Sequence, residues 1–82
     1  MPWYVFIGSA TAALLDPCDP DQYVLYDEDS APVCIGTDIL CAIQASDNKG
    51  TPIITYSLCS EINRAVLKNT PSPNVLLEYW GL

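Results

Sequence analysis

Cys18, Cys34, Cys41 and Cys59 constrain this chain more than any other feature of it. A sequence of 82 residues buries only a thin core, so covalent or metal staples add much to its stability. Zinc is the rival to disulfides for four cysteines. Structural zinc sites bring paired C-x2-4-C knuckles, whereas the gaps here are fifteen, six and seventeen residues. There is no histidine to complete such a site. An even cysteine count in a short acidic chain reads instead as a disulfide framework in an oxidising, exported setting. Three pairings are possible. The favoured one joins Cys34 to Cys41, closing a small loop around Gly36, and Cys18 to Cys59, tying a proline-rich loop to the first turn of a helix. On the chain-entropy model the short loop contributes roughly 2.5 kcal/mol and the long one about 4.

Charge and hydropathy narrow the setting further. Three basic residues stand against ten acidic ones, a formal charge of −7. Such a surface repels phosphate, which excludes nucleic acid as a partner. Half of the residues are apolar (50%), too many for a disordered tail. Pro2 to Leu15 carries no charge, but it is shorter than the ~20 residues of a membrane span. Membrane contact is therefore expected only through a partner or through this apolar amino-terminal segment. The segment is like the apolar part of a signal peptide without its basic lead-in. An initiator Met before Pro is ordinarily removed. A chain beginning Met1-Pro2 reads either as the product of a leader cleaved just upstream or as incomplete Met removal.

The residues predict one small α+β domain over 1–82, mostly antiparallel strands with one helix near residues 57–69. Trp3 to Gly8 is aromatic and β-branched, with Trp3, Val5 and Ile7 on one face and Tyr4 and Phe6 on the other. Ser9 to Leu15 is read as a short helical turn, and Asp16 to Asp21 as a rigid loop held by Pro17 and Pro20. Tyr23 to Tyr26 is a short strand. Cys41 to Ala45 and Pro52 to Tyr56 flank Ser46 to Thr51, a hairpin-like connection. The helix is expected to start at a Ser57 cap and to bury Leu58, Ile62, Ala65 and Val66, with Leu67 facing away. Thr70-Pro71-Ser72-Pro73 stops it, and Asn74 to Trp80 is a last strand.

No constellation points to catalysis, to a metal or to a cofactor. Serine and cysteine nucleophiles lack a histidine partner. The acidic stretch of Asp16, Asp19, Asp21, Asp27, Glu28 and Asp29 lacks the calcium-loop spacing and is interrupted by Pro17 and Pro20. Carboxylate pairs can act as acid and base, but any acidic protein has them, and so short a chain leaves little room for a substrate cleft. The four glycines are too scattered for a phosphate loop.

The aromatic ends carry the partner reading. Trp and Tyr are enriched at interface hot spots. Trp3, Tyr4, Val5, Phe6 and Ile7 form a strand apolar on both faces, expected to dock on a partner's sheet edge. Leu67 and Trp80 are the other candidate contacts. The competing reading is that the two terminal strands pair and form the core.

Tyr23-Val24-Leu25-Tyr26, Cys34-Ile35-Gly36, Leu40-Cys41-Ala42, then Leu58, Ile62, Asn63 and Ala65, and Ser72-Pro73-Asn74-Val75-Leu76-Leu77 resemble a family of small exported proteins of Bacteroidetes of unknown function. The resemblance spans roughly residues 22–78 in short motifs. It implies export by a cleaved signal peptide and a disulfide between the two central cysteines, and no known activity. The chain departs from the pattern in its Lys-poor start and in Cys18 and Cys59. The expected function is a non-enzymatic accessory or structural subunit of an exported or cell-surface assembly with protein partners, in an extracellular, cell-surface or periplasmic location. The alternative is a free secreted effector, such as a small disulfide-bonded inhibitor or toxin-like peptide. An enzyme ranks third and a calcium-binding module fourth.

Overall fold

The computed structural model describes residues 1–7, 17–28 and 30–79. The helical turn expected over Ser9 to Leu15 lies outside them, as do Gly8 at the end of the expected first strand, Asp16, Asp29 and Trp80. The described residues fold as an α+β domain with one α-helix and two disulfides. Four strands make an antiparallel sheet in the order β2-β1-β3-β6: β1 is Trp3–Phe6, β2 Tyr23–Tyr26, β3 Ile39–Gln44 and β6 Val75–Glu78. A separate hairpin pairs β4 (Ser46–Asn48) with β5 (Thr51–Ile53). Among the described residues the one α-helix, α1, runs Tyr56–Lys68.

Strand alternation sorts the residues onto two faces. Tyr4, Ile43, Leu40, Val75 and Leu77 meet in one core cluster with Leu58, Ile62 and Ala65 of α1. Phe6 and Leu25 pack against this cluster, and the Phe6 ring lies tilted on Tyr23 with centroids 5.2 Å apart. Trp3, Val5 and Ala42 take the opposite face, as their register requires. Between Leu40 and Ala42 the register with β6 shifts, leaving Cys41 as the extra residue. A bulge of this kind re-aims one side chain out of the alternation. The sulfur of Cys41 is the group re-aimed, and it is bonded to Cys34.

The helix starts earlier than Ser57. Thr55 is its cap, the hydroxyl oxygen accepting from the Leu58 N–H at 3.2 Å. Ile54, just ahead of the cap, packs on the core and sets where the chain turns into the helix. Val66 is not part of the buried stripe. At 3.6 residues per turn it lies roughly 70° from the mean direction of Leu58, Ile62 and Ala65, which puts it on the rim, 36% exposed. The same rotation takes Leu67 to the far side, where it is 81% exposed. Asn69 closes the helix in the left-handed conformation at φ 51°.

The stretch read as a loop over Ser46 to Thr51 is itself a hairpin. Lys49 and Gly50 both have positive φ, 55° and 88°, the requirement of a tight two-residue turn matched to strand twist. Asp47 braces it: its Oδ1 accepts from the Gly50 N–H at 3.0 Å and from the Tyr4 hydroxyl at 2.5 Å. The segment read as a loop contains a 3-10 turn over Pro20–Gln22, capped by Asp19, whose side chain accepts from the Asp21 N–H.

Both disulfides take the favoured pairing, Cys18–Cys59 and Cys34–Cys41. The first ties the segment before β2 to the helix, with the Asn63 amide against both sulfurs. On the other flank of the helix, Glu61 accepts hydrogen bonds from the Ser72 hydroxyl, from the Asn74 N–H at 3.0 Å and from the Asn74 side-chain amide at 3.1 Å. That carboxylate locks the turn leading into β6.

Candidate functional site

β1 is not a free strand. It pairs with β2 on one side and β3 on the other, so its backbone donors and acceptors are used within the domain. Docking of Trp3 to Gly8 on a partner's sheet edge is corrected on that ground, since strand addition needs an unpaired edge. Tyr4 is 0% exposed and belongs to the core. Burial raises its hydroxyl pKa, and the hydrogen bond to Asp47 and the charge of Asp47 raise it further. Phe6 is partly buried against the core, while Trp3 and Val5 are half-buried on the other face. Ile7 and Leu67 are exposed. The terminal strands β1 and β6 do not pair; β3 lies between them.

The connection from β2 to β3 presents a different set. β2 and β3 are both antiparallel to β1, which separates them. Residues 27–38 must therefore return along the length of the sheet and cross β1. Over 31–37 the chain alternates. Pro32 is buried and Cys34 and Gly36 are half-buried, while Ala31, Val33, Ile35 and Thr37 are exposed. The result is an extended strap with Val33 at 83% and Ile35 at 68% exposure.

The strap is held along its second half. Cys34 is bonded to Cys41 of β3. The Ile35 carbonyl accepts from the Tyr79 N–H at 2.9 Å, and the Asp38 N–H donates to the Glu78 carbonyl at 2.9 Å. The Asn69 side-chain amide, just past the helix, donates to the Thr37 carbonyl at 2.8 Å. Gly36 lies against the Glu78–Tyr79 peptide so closely that an added Cβ would come within 2.3 Å of the Tyr79 nitrogen. Tyr79 itself is 64% exposed. Val33, Ile35 and Tyr79 thus form an apolar display on a clamped backbone. A surface already ordered loses little conformational entropy on binding.

Reading the termini for aromatic residues missed this display. Its signal was Pro32-Val33-Cys34-Ile35-Gly36, two β-branched residues alternating with three that are made to face inward by ring, bridge or lack of a side chain. Among the described residues no group of three or more His, Cys, Asp or Glu is placed to hold a metal ion. No helix among them is long and apolar enough to cross a membrane. Compared with protein-family models, curated proteins and solved structures, the chain matches none.

Proposed function

We propose that the protein is a non-enzymatic accessory or structural subunit of an exported or cell-surface assembly, and that it meets its protein partner through the strap. The observation that carries this reading is the joint exposure of Val33 and Ile35 beside Tyr79 on a backbone held by a disulfide and three hydrogen bonds. Large apolar side chains fixed outward on a rigid support are the make-up of an interface centre. The two disulfides are compatible with an extracellular or periplasmic location. The resemblance to small exported proteins belongs to the same proposal. The second reading, a free secreted effector, would use the same strap, because an extended loop stapled to a core suits insertion into a partner's cleft.

Size-exclusion chromatography of the native envelope and secreted fractions separates the two. The assembly reading expects the protein to co-elute with a different polypeptide, and Val33→Ser with Ile35→Ser to part it from that partner with both disulfides intact. A wild-type protein found free as a monomer in the medium would refute the assembly reading and leave the effector.

A further inference from the structure

The second surface lies on the flank of α1 away from the Cys18–Cys59 bridge. Glu61, Arg64, Ala65 and Lys68 line one side of the helix, and Thr70, Pro71, Ser72 and Pro73 run back beside it, enclosing an open groove of about 420 Å³. Sites for small ligands and peptide segments begin at roughly 300 Å³. Two of the chain's three basic residues, Arg64 and Lys68, are in this groove. Its one carboxylate, Glu61, is committed to the Ser72 and Asn74 donors. The methyl of Ala65 and the rings of Pro71 and Pro73 supply apolar contact between the charges. A position near the helix carboxyl end favours cations through the helix dipole, which accounts for their presence but not for a groove around them.

The densest run of carboxylates in the sequence is Asp27-Glu28-Asp29. Asp27 and Glu28 are exposed and follow directly on β2. The groove is bounded by the segment that leads into β6. β2 and β6 are the two outermost strands of the four-stranded sheet, so the acidic turn and the cationic groove are at opposite edges of one domain.

We propose that the groove receives the Asp27-Glu28 turn of a second copy of the chain. Each copy carries one of each half, so the contact is heterologous and propagates head to tail. Charge complementarity commits the groove to this occupant: outside it the chain has a single cationic side chain, Lys49, so the groove is the one place with two cations side by side for the carboxylates of a like-charged copy. The contact is independent of the strap, so it neither needs nor supplies the partner proposed above.

Sedimentation velocity on the full, oxidised chain tests it. The wild type is expected to grow with concentration from monomer to species larger than a dimer. Arg64→Gln with Lys68→Gln, and separately Asp27→Asn with Glu28→Gln, should each show complete loss of species above monomer. All four residues are exposed, and circular dichroism checks that the fold is kept. An equimolar mixture of the two double variants should give a 1:1 dimer that grows no further, because one working groove meets one working turn. A wild type that stays monomeric at the highest concentration reached overturns the proposal, as does a mixture that fails to pair. If the monomeric wild type instead binds a synthetic peptide of residues 25–31, the groove serves an acidic segment of another protein and self-association is wrong. Loss of association in Val33→Ser with Ile35→Ser would move the contact to the strap and overturn it equally.

Discussion

Substituting Gly36 by alanine tests the packing of the strap directly, with Gly50 as an internal control. Both glycines have φ in the region closed to most side chains, +125° and +88°. Forcing an L-residue there costs about 1–3 kcal/mol at either position. Only Gly36 adds a collision. Its Cβ would lie 2.3 Å from the Tyr79 nitrogen and 2.7 Å from the Glu78 carbonyl carbon, both backbone atoms that cannot rotate away. At Gly50 nothing lies within 4 Å. Overpacking of this kind adds roughly 1–3 kcal/mol. Gly36→Ala should therefore be less stable than Gly50→Ala by about that difference. With a slope near 1 kcal/mol/M, the low end for small proteins, the urea midpoints should differ by about 1–3 M. Equilibrium unfolding followed by tryptophan fluorescence, with both disulfides intact, measures it. Equal midpoints for the two variants would show that the strap does not sit on the Glu78–Tyr79 peptide, and the argument for a clamped display would fall with it.

The other expectations follow from burial and hydrogen bonding. Ile62→Asp places an unpaired charge at a fully buried position and should abolish the cooperative unfolding transition, whereas Leu67→Asp should change stability by no more than about 0.5 kcal/mol. Deleting residues 1 to 8 removes a strand paired on both sides and should unfold the domain, visible as loss of dispersed amide resonances. A soluble, folded deletion product would contradict the sheet order. Burial disfavours the charged form of Glu61, but the hydrogen bonds from Ser72 and Asn74 and the Arg64 charge outweigh it and hold the carboxyl below its ordinary range. A depressed folded pKa contributes stability that is full above the unfolded value near 4.5 and lost as pH falls through the folded one. Glu61→Gln should therefore flatten the acid limb of a stability–pH curve, and an unchanged limb would show that the carboxylate does not hold the turn.

Local rules reached the elements whose signals are local. The helix could be read because Leu58, Ile62 and Ala65 recur at its period, and Tyr23 to Tyr26 because it is a compact run of strand formers. The favoured cysteine pairing rested on the chain reversal at Gly36 and on a tie from the proline-rich loop to the helix, and both bridges form as favoured. What failed depended on neighbours. The aromatic run at Trp3 suggested a surface strand because only one helix was available for cover. The fold supplies more: β2 and β3 occupy both edges of β1, and Tyr4 finds its polar partner in Asp47, forty-three positions away. The hairpin-like reading of Ser46 to Thr51 set its strands too far out: they are the short Ser46–Asn48 and Thr51–Ile53, and the turn is only Lys49 and Gly50, both at positive φ. The strap was missed because Val33 and Ile35 look like core residues. Only the inward demands of Pro32, Cys34 and Gly36 turn them out.

The two disulfides also set a timetable. Cys34 and Cys41 are seven residues apart, and a loop that short closes before much else has formed. Cys18 and Cys59 are 41 positions apart, with β2, β3 and the whole hairpin between them. Their sulfurs come together once α1 has settled beside the segment that leads into β2. Oxidation of the second pair is thus a late event that records docking of the helix. Acid-quenched refolding from the reduced chain should pass through a species bridged at Cys34–Cys41 alone. An early intermediate bridged at Cys18–Cys59 would mean that the helix docks before the short loop has closed.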